Sequence, residues 1–279
     1  ARRIFGLLRP GGLTAFITTN SITDGDVRKD GLEQVLAQGG SINFAMRGIK
    51  WPGRANLVVS LVALNKGKWC GPFVLDGKEV PVISAYFEDS VDLGDPLHLH
   101  HNSEQLSQGS IFLGDGFLLT HDQADGLLQE DHRNNKVIFK VMNGEEINNR
   151  PKQDPNRSII FFHDWTENVS RQFIEPFAVV EREVRPYREN KNQKDMRAKR
   201  LWWLFKRPTI NVYERIQDLP RCFVAAATTK YLNFSAVPTN YIFLNTLYVF
   251  TTDRWDLYAV VQSTLHDVWA RKYSGALGA

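Results

Sequence analysis

Residues 7–22 read LLRPGGLTAFITTNSI: the end of an amphipathic helix, a Gly-Gly break, and an apolar strand from Leu13 to Thr18 that closes in Thr19-Asn20-Ser21. Helix, glycine turn and buried strand form the repeating unit of a parallel α/β sheet. A parallel strand needs a neighbour, and a parallel neighbour needs a crossover of about a dozen residues or more. The twelve residues ahead of Leu13 are taken up by the helix. The first strand is therefore expected to belong to a sheet whose other strands lie outside this sequence.

The chain around that stretch has 279 residues, 43% hydrophobic and 23% charged, a globular composition with room for two domains. No apolar run approaches the length of a transmembrane helix, and the start at Ala1 carries no leader-like apolar region. An excised piece is as good an account of that start as a mature terminus. Cys70 and Cys222 are far apart without a C-x-x-C, which argues against a disulfide framework or zinc ribbon and fits a reducing cytoplasm. The net charge of +3 is unevenly spread: 181–207 holds ten Lys/Arg against four Asp/Glu, or +6, leaving −3 for the remainder. One basic segment on a mildly acidic chain points to a local anionic partner.

A second helix is predicted from about Gly25 to Gln38, stopped by Gly39-Gly40. SINFAMRGIKW, in which Ile42, Phe44 and Met46 alternate, and ANLVVSLVALNKG flank a Pro52-Gly53 turn and read as an antiparallel hairpin. The Gly-, Pro-, Asp- and His-rich stretch 76–108 reads as a connection. From residue 109 strands and helices resume: a strand at SIFLGDGFLLT, a helix near 122–130, strands at KVIFKVM and SIIFFHDW. A long helical stretch from Thr166 is expected to break at Pro176 and Pro186. A short helix at 212–219, strands at 221–235 and 241–250, and a closing helix at 257–273 complete the chain.

This order is recognisable. LLRPGGLTAFITTNS resembles the strand following the catalytic motif of adenine-specific DNA methyltransferases. FLGDGFLLT, MNGEEI, SIIFF, VRPYR, RLWWL, SAVP and VVQSTLHDVWA resemble the target-recognition domain that comes after it in the single-chain Type IIG/IIL, MmeI-like, restriction–modification group. The resemblance covers nearly the whole chain and rests on the ordered series, not on any one tag. It implies a mixed α/β (α+β) fold: the incomplete C-terminal part of a class I methyltransferase sheet at 1–75, a connection at 76–108, and a DNA target-recognition domain at 109–279. Such enzymes carry an upstream Gly-rich turn for S-adenosylmethionine and an Asn-Pro-Pro-aromatic loop for the target adenine. Ahead of the first strand stands no such turn, and no Asn-Pro-Pro occurs. The resemblance thus implies a fragment cut at both ends, which binds no cofactor and has no catalytic residue of its own, from a parent that uses S-adenosylmethionine and possesses methyltransferase and in some members nuclease activity.

Each candidate site has a plainer reading beside it. Base flipping needs an aromatic wall to replace lost stacking, and Phe44 or Trp51 at the hairpin could supply it; alternatively Phe44 is core and Trp51 covers a hinge. Arg182, Arg185, Arg188, Lys191, Lys194, Arg197, Lys199, Arg200, Lys206 and Arg207 suit a DNA backbone, because cations neutralise phosphates and release counterions. The plainer reading is a solvated helix face with Arg185 or Arg188 paired to local acids. Trp202 and Trp203 read as core anchors. Thr228, Lys230, Asn233 and Asn240 alternate with Tyr231, Phe234 and Tyr241, so one face could anchor while the other reads base edges in the major groove; an ordinary hairpin facing water fits the same pattern. His98, His100 and His101 with Asp92 and Asp95 match no tight zinc template, so no metal is expected. His266 reads as a capping or interhelix hydrogen-bonding residue.

The expected function is DNA sequence recognition, with double-stranded DNA and the rest of the parent chain as partners and no membrane. The rivals are a nuclease, against which the lack of an Asp…Glu-x-Lys pattern counts, and a protein-interaction subunit of a restriction or phage-defence complex. A DNA-binding titration against salt separates recognition from scaffolding.

Overall fold

A computed structural model describes residues 1–273 apart from 56, 92, 93, 98, 103 and 191–193, with the side chain of His101 also excluded. The chain divides into two units, Ala1–Leu97 with Asp267–Ala279, and His98–His266.

The first unit is built on five strands: β1 (Leu13–Thr19), β2 (Ser41–Lys50), β3 (Val58–Asn65), β4 (Phe73–Leu75) and β5 (Lys78–Val80), in the order β1-β3-β2-β4-β5. β2 and β3 form the expected antiparallel hairpin. β1, expected as a parallel strand, pairs antiparallel with β3, from Leu13 opposite Asn65 to Thr19 opposite Val59. Its other edge pairs with no strand among the described residues. The Ile42, Phe44, Met46 alternation is also corrected. The register with β3 shifts between Ile42 and Phe44, so Ile42 and Ala45 are buried while Phe44 and Met46 turn to the opposite face. A bulge adds one residue to one strand, and with a side-chain period of two, one residue exchanges faces.

Ile42, Ala45, Val62 and Leu64 pack with Phe5, Leu32 and Val35 from the helical segments that flank β1. The helix between β1 and β2 runs 25–37 and passes through a π turn at Lys29–Glu33. The reading of 76–108 as a connection does not hold in the structure. β5 completes the first sheet, and Ile83, Ala85 and Phe87 enter its core. The division instead falls between Leu97 and His98. Gly, Pro and Asp in this stretch make turns between short pieces of sheet, which composition alone cannot tell from a linker.

The second unit holds β6 (Leu106–Gln108), β7 (Leu118–Leu119), β8 (Ile138–Met142), β9 (Arg157–Ile160), β10 (Cys222–Ala226), β11 (Phe234–Val237), β12 (Tyr241–Phe243) and β13 (Leu247–Phe250). They form two four-stranded sheets, β11-β10-β13-β6 and β12-β8-β9-β7. The expected strand at 110–120 is reduced to isolated bridges at Ser110 and Ile111 and the two residues of β7. Helix His121–Glu130 starts on a capping box of Thr120 and Gln123, and Gly144–Asn149 on one of Asn143 and Glu146. Each box satisfies backbone donors that the first turn leaves without partners. The helical stretch breaks just ahead of both prolines, as expected, at 171–173 and at Val184. Pro176 then stands in the first turn of Ile174–Glu183, where no helical partner exists for its missing N–H. Pro186 likewise sits at the start of Arg185–Glu189. Aromatic side chains fill the larger core, with Phe117, Phe161, Phe162, Trp202, Trp203 and Phe205 all buried. Trp203 Nε1 donates to the Trp165 carbonyl at 3.0 Å, so both tryptophans are core anchors. No helix among the described residues is long and apolar enough to cross a membrane.

Candidate functional site

β10 is buried at all five positions, and its sequence CFVAA fits a central strand covered on both faces. That rigid strand delivers the chain at Ala226 into the loop 227–233, which returns as β11. Thr228, Lys230 and Asn233 are exposed on this loop. The Lys230 Nζ lies 5.2 Å from the Tyr231 ring centroid. Tyr231, expected as an apolar anchor, is 67% exposed; Phe234 is the anchor, at 6%.

Side-chain amides from three neighbouring segments fix the loop and the start of β11. Asn148 Nδ2 donates to the Thr228 carbonyl at 3.3 Å, and its Oδ1 accepts from Thr229 Oγ1 at 3.2 Å. Gln262 Nε2 donates to Asn233 Oδ1 at 3.1 Å, while its Oε1 accepts from the Phe234 N–H at 2.8 Å. Gln153, at φ 53°, donates from Nε2 to Ser235 Oγ at 2.8 Å. The sequence reading missed these three residues. The only signal was the amide-rich run NNRPKQDPN at 148–156, with nothing to say what it touches.

Asn240 does not join the other three. It is exposed on the turn after β11, and the antiparallel pairing of Ala225 with Phe234 and Cys222 with Val237 puts that turn at the opposite end of the strand. Four residues at about 3.3 Å each separate the two ends by roughly 13 Å. The stretch 228–245 therefore divides into two surfaces, and only its first part presents a cluster.

The basic segment is also divided. Arg188 is wholly buried, which removes it as a phosphate contact. Its Nε donates to the Leu113 carbonyl at 2.9 Å and its Nη1 to those of Leu201 and Leu204 at 3.2 and 2.6 Å, with the guanidinium over the Phe117 ring. Burial lowers its pKa to about 10, so it remains charged at neutral pH. Arg185 bridges Glu181 and Glu189 and lies over Trp202, and Arg182 pairs with Glu183. Lys206 pairs with Asp195 at 3.2 Å. Arg197 donates to the Lys206 carbonyl, and Arg207 to Gln108 Oε1 and the Gly109 carbonyl. Lys194 and Arg200 are exposed and Lys199 half-buried; none has an ion-pair partner among the described residues. Lys191 lies outside those residues.

In the first unit Trp51 is 38% exposed at the hairpin tip, its backbone N–H bonded to the Leu57 carbonyl at 2.8 Å. Beside the hairpin a cleft of about 360 Å³ is lined by Thr19, Asn20, Ser21, Arg47, Leu57 and Ser60, among others. Ser60 Oγ donates to Asn20 Oδ1 at 2.7 Å, and Arg47 is held against Asp76 by Nε and Nη2. Phe44 and Trp51 do not line this cleft; Phe44 is half-buried on the outer face of β2. The turn after β1 is Asn20–Thr23, with no glycine before Gly25.

Asp92 and His98 lie outside the described residues, as does the side chain of His101. Asp95 is committed to Arg28 and Lys29, at 2.6 Å each. Among the described residues no group of three His, Cys, Asp or Glu is placed to hold a metal. His266 caps locally: its Nδ1–H donates to the Val261 carbonyl at 2.7 Å, and its N–H to Ser263 Oγ at 3.2 Å. Cys222 is buried, with its thiol pushed up to about 12 by desolvation, and Cys70 is exposed; neither is in a disulfide.

No curated protein matches the chain in sequence. Among solved structures it is similar to the Type IIL restriction–modification enzyme MmeI, determined in complex with DNA, with a TM-score of 0.71 and 18% identity. The match covers 95% of this chain and 37% of that enzyme, so the chain spans well under half of the enzyme's length. The family model for the MmeI target recognition domain matches residues 98–279, which take in the whole second unit and the C-terminal residues beyond it. The chain belongs to the MmeI target recognition domain family.

Proposed function

We propose that this chain recognises a DNA sequence on behalf of a larger restriction–modification enzyme, and that the 227–233 loop is its reading surface. The observation that carries this is the match of the target recognition domain to 98–279, together with a loop on that domain held by three amide side chains. Lysine can donate to guanine O6 and N7, and asparagine can pair with adenine N6 and N7. Thr228 and Lys230 supply readers, and Asn233, whose Oδ1 accepts from Gln262 and whose Nδ2 donates to Ser235 Oγ at 3.4 Å, supplies one through its second amide hydrogen. Asn240, at the far end of β11, would act on a separate contact. Phosphate contacts of the basic segment reduce to its cations without an ion-pair partner among the described residues, the exposed Lys194 and Arg200 and the half-buried Lys199.

Residues 1–97 are the closing part of a methyltransferase sheet in this reading. Supporting it, β1 leaves one edge without a strand among the described residues, and the face bearing Ala15, Ile17, Leu61, Ala63, Phe44 and Met46 is apolar and only partly covered, with Ile17 55% exposed. Further strands and helices of a longer chain would complete both. That longer protein would bind S-adenosylmethionine, transfer its methyl group to adenine N6 and work in the cytoplasm. Trp51 at the hairpin tip, with the adjoining cleft, would border the extruded base; Phe44 is the weaker candidate because it faces away from the cleft.

The test is to replace Lys230 and Asn233 in the full-length protein and map the modified bases across a genome. A changed base at one position of the site, with activity retained, supports direct readout. Unaltered specificity, or uniform loss at every site, removes the reading surface from this loop. Binding of a protein partner with no DNA affinity would favour the scaffold reading instead.

A further inference from the structure

Exposed cations without an ion-pair partner among the described residues also stand outside the 182–207 segment. The strap 150–156, RPKQDPN, joins helix Gly144–Asn149 to β9; it carries Arg150 and Lys152, and β9 opens on Arg157, all three exposed. None has an ion-pair partner among the described residues, whereas most arginines of the other segment are occupied by acids or carbonyls. Asp154, the one acid in the strap, is exposed; after burial, its charge is the second cause of the raised pKa of the Tyr241 phenol.

Two residues tie this part of the chain to the loop and to β11, the strand that follows it. Asn148, just ahead of it, holds Thr228 and Thr229, while Gln153 inside it reaches Ser235 Oγ and the Ile147 carbonyl. The chain turns at Gln153, whose φ of 53° is in the left-handed region, and Gln153 N–H bonds to the Arg150 carbonyl at 3.0 Å. The three cations are therefore carried at a fixed offset from Thr228 and Lys230. A duplex presents phosphates flanking every base edge, so a reader of bases needs cations at such an offset to set its register.

We propose that Arg150, Lys152 and Arg157 grip the phosphate backbone of duplex DNA beside the bases read by the 227–233 loop. This rests on that loop being the reading surface. Each phosphate neutralised contributes about 0.9 to the slope of log K against log salt. In the full chain, binding to a random-sequence duplex is titrated against potassium chloride for the wild type and for the triple variant R150A/K152A/R157A. The expected result is a slope flatter by about 2.7 in the triple variant, with the order of preference among target sequences retained. The single variant Lys152→Glu, at an exposed position that cannot compromise the core, should flatten the slope in the same direction. A steep wild-type slope that neither variant alters overturns the proposal, as does a larger loss in K194A/K199A/R200A than in the first triple. Altered sequence preference at unchanged slope also overturns it, by making the strap a reader of bases. Failure of the underlying reading is distinguishable: it appears as an unchanged preference in Lys230→Ala, whatever the strap variants do.

Discussion

Arg188 and Arg182 are six residues apart in one basic run, and the fold gives them opposite roles. Arg188 satisfies three backbone carbonyls in a buried site over the Phe117 ring, while Arg182 lies on the surface against Glu183. Losing a buried donor leaves its acceptors without partners, at about 1–3 kcal/mol for each group left unsatisfied. Arg188→Ala should therefore lower unfolding free energy by about 3 kcal/mol or more in urea titration, and Arg182→Ala should leave it unchanged. A mild Arg188→Ala would mean that those carbonyls find water. His163 makes a residue-scale prediction for pH. Its imidazole packs among Phe139, Phe161 and Trp165, and burial lowers its pKa below the usual 6.5 despite the Lys136 carbonyl that accepts from Nε2. The unfolded chain then takes up a proton that the native state refuses, so stability falls as pH drops through about 6.5. His163→Phe should flatten that fall, read as Tm against pH between 7.5 and about 5.5.

At the scale of elements, the clamp on the reading loop separates positioning from contact. Asn148 is exposed at the end of a short helix and contributes no core packing, yet its amide makes both bonds to Thr228 and Thr229. Asn148→Ala is expected to speed amide exchange across 228–231 several-fold with Tm nearly unchanged, because local opening draws on few buried contacts. Exchange rates equal to wild type would show that Gln262 and the Lys230–Tyr231 contact hold the loop without it. The helix boundaries belong to the same scale: the helix near 122–130 was expected, whereas Asn143-Gly144 reads as a turn and the helix Gly144–Asn149 was not expected. Thr120 with Gln123 and Asn143 with Glu146 have the spacing of capping boxes, and both boxes form. The bulge in β2 was not legible, since its cause is the match to β3 and not any residue type in SINFAM.

For the whole molecule, the open edge and apolar face of the first sheet give a test of its place in a longer protein. Ile17 is 55% exposed, so Ile17→Asp should change the stability of residues 1–279 by less than about 0.5 kcal/mol. In the full-length protein the same substitution should cost about 2–3 kcal/mol, if further elements bury that face. Equal small effects in both, measured by denaturant unfolding, would leave the face a solvent surface and end the completed-sheet reading.

Most of the helices and strands in their order, the mixed α/β class and the kinship could be read from the residues, because apolar periodicity, prolines and caps act over a few positions. The hairpin of β2 and β3, the tryptophan anchors at 202 and 203 and the capping role of His266 were readable in that way. Long-range packing decided the rest: that β1 lies against antiparallel β3, that 76–97 completes a sheet, and that Asn240 lies away from Lys230. It also decided which cations face solvent. A charged side chain fits equally well in a surface ion pair or a cage of carbonyls, and only the chain brought from 13 to 75 residues away, at Leu201, Leu204 and Leu113, settles which one Arg188 receives.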